Sequence, residues 1–172
     1  MLAPFVTRPN EKVVDRAALG LPPPEATVKG VYLLRRGDRS KKPYHGTIVL
    51  QESGVTSGFV YDVLPKIIAA NLNINIVYVS SAELFDALPA AEKLSIFDDA
   101  MAAEAIGITG FTLPTMARWV RSSEGLDNSL HPFKKGHYLG SGPAEKVLLE
   151  AGLDSDTQWR AVKDYADRVA GR

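Results

Sequence analysis

The stretch His137-Tyr138-Leu139-Gly140-Ser141-Gly142-Pro143-Ala144-Glu145-Lys146-Val147-Leu148-Leu149-Glu150-Ala151-Gly152-Leu153 decides the fold class. It reads as the end of a short strand, a glycine turn, and a helix from Ser141 to Gly152. The Ser141 hydroxyl can accept from first-turn N–H groups, Pro143 has no N–H to leave unpaired there, and Gly152 suits a left-handed exit. Val147, Leu148 and Ala151 then share one apolar face. A strand that feeds a helix through a tight turn is half of a βαβ unit, so a layered α/β domain is expected.

Outward from that stretch the same alternation continues. Val31 to Arg35 is β-rich, and His45 to Gln51, centred on Thr47-Ile48-Val49-Leu50, is a continuous apolar run of the kind buried on both faces of a parallel sheet. Ile74 to Ser80 is a further buried strand. Between these two runs a helix is predicted from Thr56 or Ser57 to about Asn71, with Val60, Val63, Leu64, Ile67 and Ile68 inward. Pro65 predicts a kink or an early break in it. Ala82 to Leu88 and Ala90 to Asp98 read as helical pieces separated by Pro89. Ala100 to Ile108 carries two signals: Ala, Met and Glu favour helix, whereas Gly107, Gly110 and a short apolar stretch suit a third strand.

Pro114 to Arg121 is predicted to be a helix with Met116, Ala117 and Val120 inward, and Ser122 to Pro132 a loop. The chain closes on a helix from Ser155 to Ala170, where Trp159, Val162, Tyr165, Ala166 and Val169 form a stripe for the core. Residues 1–29, broken by Pro4, Pro9 and Pro22-Pro23-Pro24, read as an extended arm, with room for a short helix around Lys12 to Leu19. Such an arm is expected to pack against something. The domain proper is then 30–172.

At 172 residues the chain can bury about two-thirds of its unfolded surface as one domain. Twenty basic residues balance twenty acidic ones, so no long-range field favours nucleic acid or a membrane surface. With no cysteine there is no disulfide, no thiol nucleophile and no thiolate metal site. The apolar runs fall short of the roughly 18 residues of a spanning helix, and Met1 to Pro4 lacks the features of a signal peptide. A soluble, cytoplasmic protein is expected.

Four segments, in order, resemble the C-terminal domain of transketolase, a thiamine-diphosphate-dependent enzyme. Pro4-Phe5-Val6-Thr7-Arg8-Pro9-Asn10 resembles the end of the family's pyrimidine-binding domain and the linker leaving it. Lys29 to Leu34, followed after a loop by Thr47 to Val55, is similar to the paired strands and glycine turn that open the C-terminal domain. Asn75 to Asp86 is similar to a strand with its Phe-Asp turn, and Ala102 to Gly107 with Gly136 to Leu153 to the Val-Glu-Ala-Gly strand and the Phe-Gly-x-Ser-x-Pro-Ala helix start. There are departures: Gln51-Glu52-Ser53-Gly54 stands where the family commonly has Thr-Gly-Ser-Glu, and Leu139-Gly140 where it has Phe-Gly.

The resemblance implies a three-layer α/β/α sandwich on a mostly parallel five-stranded sheet with one antiparallel strand, and it resolves Ala100 to Ile108 as strand. It also implies a parent enzyme that moves a two-carbon ketol unit between sugar phosphates as a homodimer. Thiamine diphosphate and a divalent metal, Mg or Ca, would be held by the preceding domains or a separate subunit, the expected partners of this chain. No catalytic, cofactor-binding or metal-binding residue then belongs here. The equivalent domain of a 2-oxoacid dehydrogenase E1 or of deoxyxylulose-phosphate synthase, and a free-standing regulatory module that binds an anion or a partner, stay open as alternatives.

Two glycine-rich turns are candidate anion-binding sites: Ser53, Gly54, Thr56 and Ser57 at the carboxyl end of a central strand, and Gly140, Ser141 and Gly142 at a helix start. Neither has the Walker or dinucleotide spacing. His45, His131 and His137 lack the spacing of metal ligands. Some related enzymes place a histidine of this domain near the cofactor, and His131, in the loop before Pro132, is the candidate here. Trp119 suits the core or an interface.

Overall fold

The computed structural model describes residues 13–171. A four-stranded sheet is flanked by helices on both faces. β1 (Val31–Arg35), β2 (Thr47–Gln51), β3 (Asn75–Val79) and β4 (Ile106–Thr109) stand in the order β1-β3-β2-β4. β1 runs antiparallel to β3; β2 is parallel to both β3 and β4.

Alternation along these strands feeds two cores. Tyr32, Leu34, Ile48, Leu50, Ile76, Ile106 and Ile108 point to one face, and Val31, Val49, Val77 and Val79 to the other. The first face is covered by α1 (Ser53–Gly58), a π turn (Phe59–Val63) and α2 (Leu64–Ala69), which form one continuous helical run. The second is covered by α3 (Ala82–Asp86), α4 (Ala90–Ile96) and α5 (Asp99–Glu104). α6 (Ser123–Asn128) sits beside β4, and α7 (Ala144–Ala151) and α8 (Ser155–Ala170) return to the first face. This is the expected three-layer arrangement, with four strands in place of five.

The missing strand has a local cause. On the outer edge of β4, the Thr109 N–H donates to the Leu130 carbonyl (3.0 Å) and the Leu130 N–H to the Gly107 carbonyl (2.8 Å). That single bridge takes up the edge of so short a strand, and residues 137–140 form none. The helix expected from Ser141 begins at Ala144 instead, with Pro143 at its cap and no side-chain cap bond. Its exit is as expected: Gly152 takes φ 70°, ψ 33°.

Pro65 does not end its helix, which runs on to Ala69. A π turn, Phe59–Val63, stands just before it, and Pro65 falls in the first turn of α2, where its missing N–H is tolerated. The wider turn also shifts the apolar stripe: Ile67 is buried, whereas Ile68 is exposed. Ala100 to Ile108 divides between both signals, helix to Glu104 and strand from Ile106, and is not all strand. Two other expectations are corrected. Leu113–Met116 is a 3-10 turn rather than the start of an α-helix, with Met116 and Val120 buried and Ala117 exposed. The predicted loop 122–132 contains α6, because the Ser122 hydroxyl accepts from the Gly125 N–H (3.1 Å) as an N-cap.

Trp119 belongs to the core, edge-on to Phe85 and Phe97 at 5.6 and 5.7 Å. Of the arm, Val14, Leu19, Leu21 and Ala26 rest on the first core, and only turns span 16–20. The segment Pro4 to Asn10, and Lys12 of the expected short helix, lie outside the described residues.

Candidate functional site at the carboxyl ends of the strands

In open α/β sheets ligands bind beyond the carboxyl ends of the strands. Here a crevice of about 490 Å³ lies there, lined by Glu52, Ser53, Tyr78, Ser80, Ser81 and Phe111 among others. Gln51 ties the end of β2 to its neighbours: its Oε1 accepts from the Thr109 hydroxyl (3.2 Å) and the Thr115 hydroxyl (2.8 Å).

Glu52 is the unusual residue. Its backbone sits at φ 79°, ψ 140°, a region that disfavours side chains. Its carboxylate accepts from the Gly54 N–H (2.6 Å) and the Val55 N–H (2.9 Å), and its carbonyl from the Thr56 hydroxyl (2.5 Å). These bonds offset the strain and close the head of α1. Gly110 makes room for them, since a Cβ there would lie 2.6 Å from Glu52 Oε2. Position 52 thus joins a glycine-like backbone to a carboxylate.

The two candidate anion turns therefore meet different fates. Ser53, Gly54, Thr56 and Ser57 do stand at a helix start at the end of β2, but the Gly54 and Val55 donors are engaged by Glu52. Gly140, Ser141 and Gly142 precede the helix start at Ala144, and the Gly140 N–H faces the Glu150 carboxylate at 3.3 and 3.4 Å. The crevice does not include the second turn. A diphosphate needs free donors, and its metal needs convergent carboxylates. The first are taken by Glu52, and no group of three candidate metal ligands occurs among the described residues.

The histidines stay apart. His45 is buried and its Nδ1 accepts from the Asn73 N–H (2.9 Å). His137 is exposed, 3.5 Å from a Glu150 oxygen. His131 is half-buried, with its Nδ1 lacking a partner among the described residues; burial, and then the nearby Lys134 charge, hold its pKa below the usual range.

Sequence reasoning missed a polar network at the opposite, amino end of the sheet. Glu104 Oε1 accepts from the Tyr44 hydroxyl (2.6 Å), the Thr47 hydroxyl (2.7 Å) and Arg39 Nη2 (3.2 Å). The Asn75 amide donates to Tyr44 (2.8 Å), and the Tyr165 hydroxyl donates to the Glu104 carbonyl (2.8 Å) while accepting from the Thr47 N–H (2.9 Å). Burial and Glu104 push the Tyr44 phenol up; Arg39 is raised despite burial, by Asp98, Tyr44 and Glu104. The one signal in the sequence was that both central strands open on a small polar residue, Thr47 and Asn75.

Among solved structures the chain is similar to transketolases. It aligns with transketolase from Leishmania mexicana at TM-score 0.57 and 17% identity, over 84% of this chain and 19% of that one. A Pichia stipitis transketolase gives 0.57 and 18% over 86% and 19%, and that of Campylobacter jejuni 0.55 and 15% over 80% and 19%. The fold is transketolase-like. The chain spans about a fifth of the length of those enzymes, in keeping with a transketolase C-terminal-like domain. No family model and no curated protein matches it. No helix among the described residues is long and apolar enough to cross a membrane.

Proposed function

We propose that this chain is the C-terminal, non-catalytic domain or subunit of a transketolase-like enzyme, and that it supports dimer assembly while other domains carry the chemistry. The observation that carries this reading is the fold match itself, which spans 84% of the chain within 19% of a transketolase. Engagement of the Gly54 and Val55 N–H groups by Glu52 supports assigning the cofactor and its Mg or Ca ion to those other domains. The parent reaction is transfer of a two-carbon ketol unit from a ketose phosphate to an aldose phosphate. The cofactor supplies the stabilised carbanion when bound.

Native isolation from the source cells with an antibody to this chain tests the proposal. The expected result is a thiamine-diphosphate-binding polypeptide, either continuous with the chain or bound to it, with transketolase activity in the eluate. An 18.6 kDa species with no such companion would overturn it. Calorimetry of the purified chain with thiamine diphosphate and Mg is expected to give no binding, and turnover by the chain alone would refute the non-catalytic role.

A further inference from the structure

Between residues 13–24 and the sheet lies a second cavity, of about 590 Å³, beside β1 and the head of α1. Its walls are mainly apolar, from Val14, Leu21, Leu34 and Val60 and the rings of Tyr32 and Tyr78. The two rings meet edge-on, centroids 5.7 Å apart at 85°. Arg16 is fixed on this wall: Nη2 donates to the Tyr32 hydroxyl (2.9 Å), Nε to the Pro22 carbonyl (2.8 Å), and its guanidinium carbon lies 5.4 Å from the Tyr32 ring centre. Arg16 Nη1, the Ser57 hydroxyl and the Tyr78 hydroxyl are among the polar groups of this lining that retain unused hydrogen-bonding capacity among the described residues.

A chiefly apolar cavity of this size with a few oriented polar groups is the usual form of a small-molecule site. The two tyrosine rings, set edge-on, form an apolar corner that suits a flat ring laid against one of them and meeting the other at its edge, and the pinned guanidinium selects an acceptor. Asp15, also on the wall, accepts from the Ala18 N–H (3.0 Å) and adds a negative charge. One cation against one anion favours a single carboxylate over a phosphate or a dianion. We propose that this cavity binds a monocarboxylate with an aromatic body of one to three rings, its rings against Tyr32 and Tyr78 and its carboxylate accepting from Arg16. The assignment is independent of the transketolase-like reading.

The probe is 2-naphthoate, titrated into the 15N-labelled full chain and followed by two-dimensional NMR. Saturable shifts are expected at the Arg16 Nε–H and at the amides of Tyr32, Ser53 to Val60 and Tyr78. Ser57→Trp, a substitution at a half-exposed position that fills the cavity, is expected to abolish them. Arg16→Gln is expected to weaken binding by about tenfold, the effect of losing a charge-assisted bond. It serves as the second variant should Ser57→Trp lose its dispersed spectrum. Inorganic phosphate is expected to leave these resonances unmoved. The proposal is overturned by shifts that fail to saturate, that centre on the exposed Tyr138, or that persist unchanged in both variants, and saturable phosphate shifts at Arg16 would overturn the choice of a carboxylate.

Discussion

Glu52 and Glu104 stand at opposite ends of one sheet, and each brings a carboxylate to a place where charge must be compensated. Glu52 takes its partners from its own helix start, two and three residues on. Glu104 takes its partners from residues 57 to 65 positions away in the chain. The first is a local device: it closes a helix end that would otherwise present free N–H groups to an anion. The second joins β2, α5 and the loop before β2 at one point. A cap can be lost with little damage elsewhere, whereas a shared acceptor cannot be removed without orphaning several donors.

The largest expected effect tests that contrast directly. Glu104→Ala leaves the Tyr44 and Thr47 hydroxyls without their acceptor and Arg39 with Asp98 alone, and should cost about 2 kcal/mol in urea unfolding at unchanged slope. A loss below about 1 kcal/mol would place Glu104 with ordinary surface pairs and break the comparison.

At the other end Glu52→Ala should cost about 1 kcal/mol, the worth of a cap. Glu52→Gly gives up the same bonds but relieves the positive φ, and should be more stable than the alanine variant by about 1 kcal/mol. Gly110→Ala, which drives a Cβ into the Glu52 carboxylate, should destabilise the wild type and be better tolerated beside Glu52→Gly. Strict additivity in that cycle would show that Glu52 does not hold the position described.

Smaller effects appear with pH. Asp98 is held below its ordinary pKa although burial opposes this, because Arg39 (2.8 Å) and the Met101 N–H (2.7 Å) donate to it. A depressed carboxylate stabilises the fold above its unfolded pKa, and the contribution is lost as pH falls through the lower folded value. Asp98→Asn should therefore flatten the fall in melting temperature below about pH 4. His131, also depressed, stabilises the neutral form. Its contribution is present above about pH 6.5 and lost as pH falls through the folded value, so His131→Gln should flatten a shallow slope below that point.

Much of the fold was legible because its signals are short-range. The runs Thr47 to Leu50 and Asn75 to Val79 carry apolar side chains to both faces, and the stripe along α8 keeps its register from Trp159 to Val169. The failures were of two kinds. Ser122 is an N-cap without an apolar period behind it, so α6 read as loop. His137 to Leu139 read as a strand end, but a strand needs a free edge, and Leu130 had taken it. At the candidate site the sequence marked a turn at Ser53 to Ser57 and not the state of its N–H groups. Glu52 stood beside it as an ordinary acidic residue until the backbone placed its carboxylate on the N–H groups.

By itself, then, the sequence determined the alternation of strands and helices, the left-handed exit at Gly152 and the face each strand turns to each core. These depend on neighbours a few residues apart. The tertiary structure alone decided which edge closes at β4, that Glu104 gathers Arg39, Tyr44 and Thr47, and that residues 13–24 roof a cavity over Tyr32 and Tyr78. Those features depend on pairs brought together only after the sheet has formed, when a donor finds its acceptor across tens of residues of intervening chain.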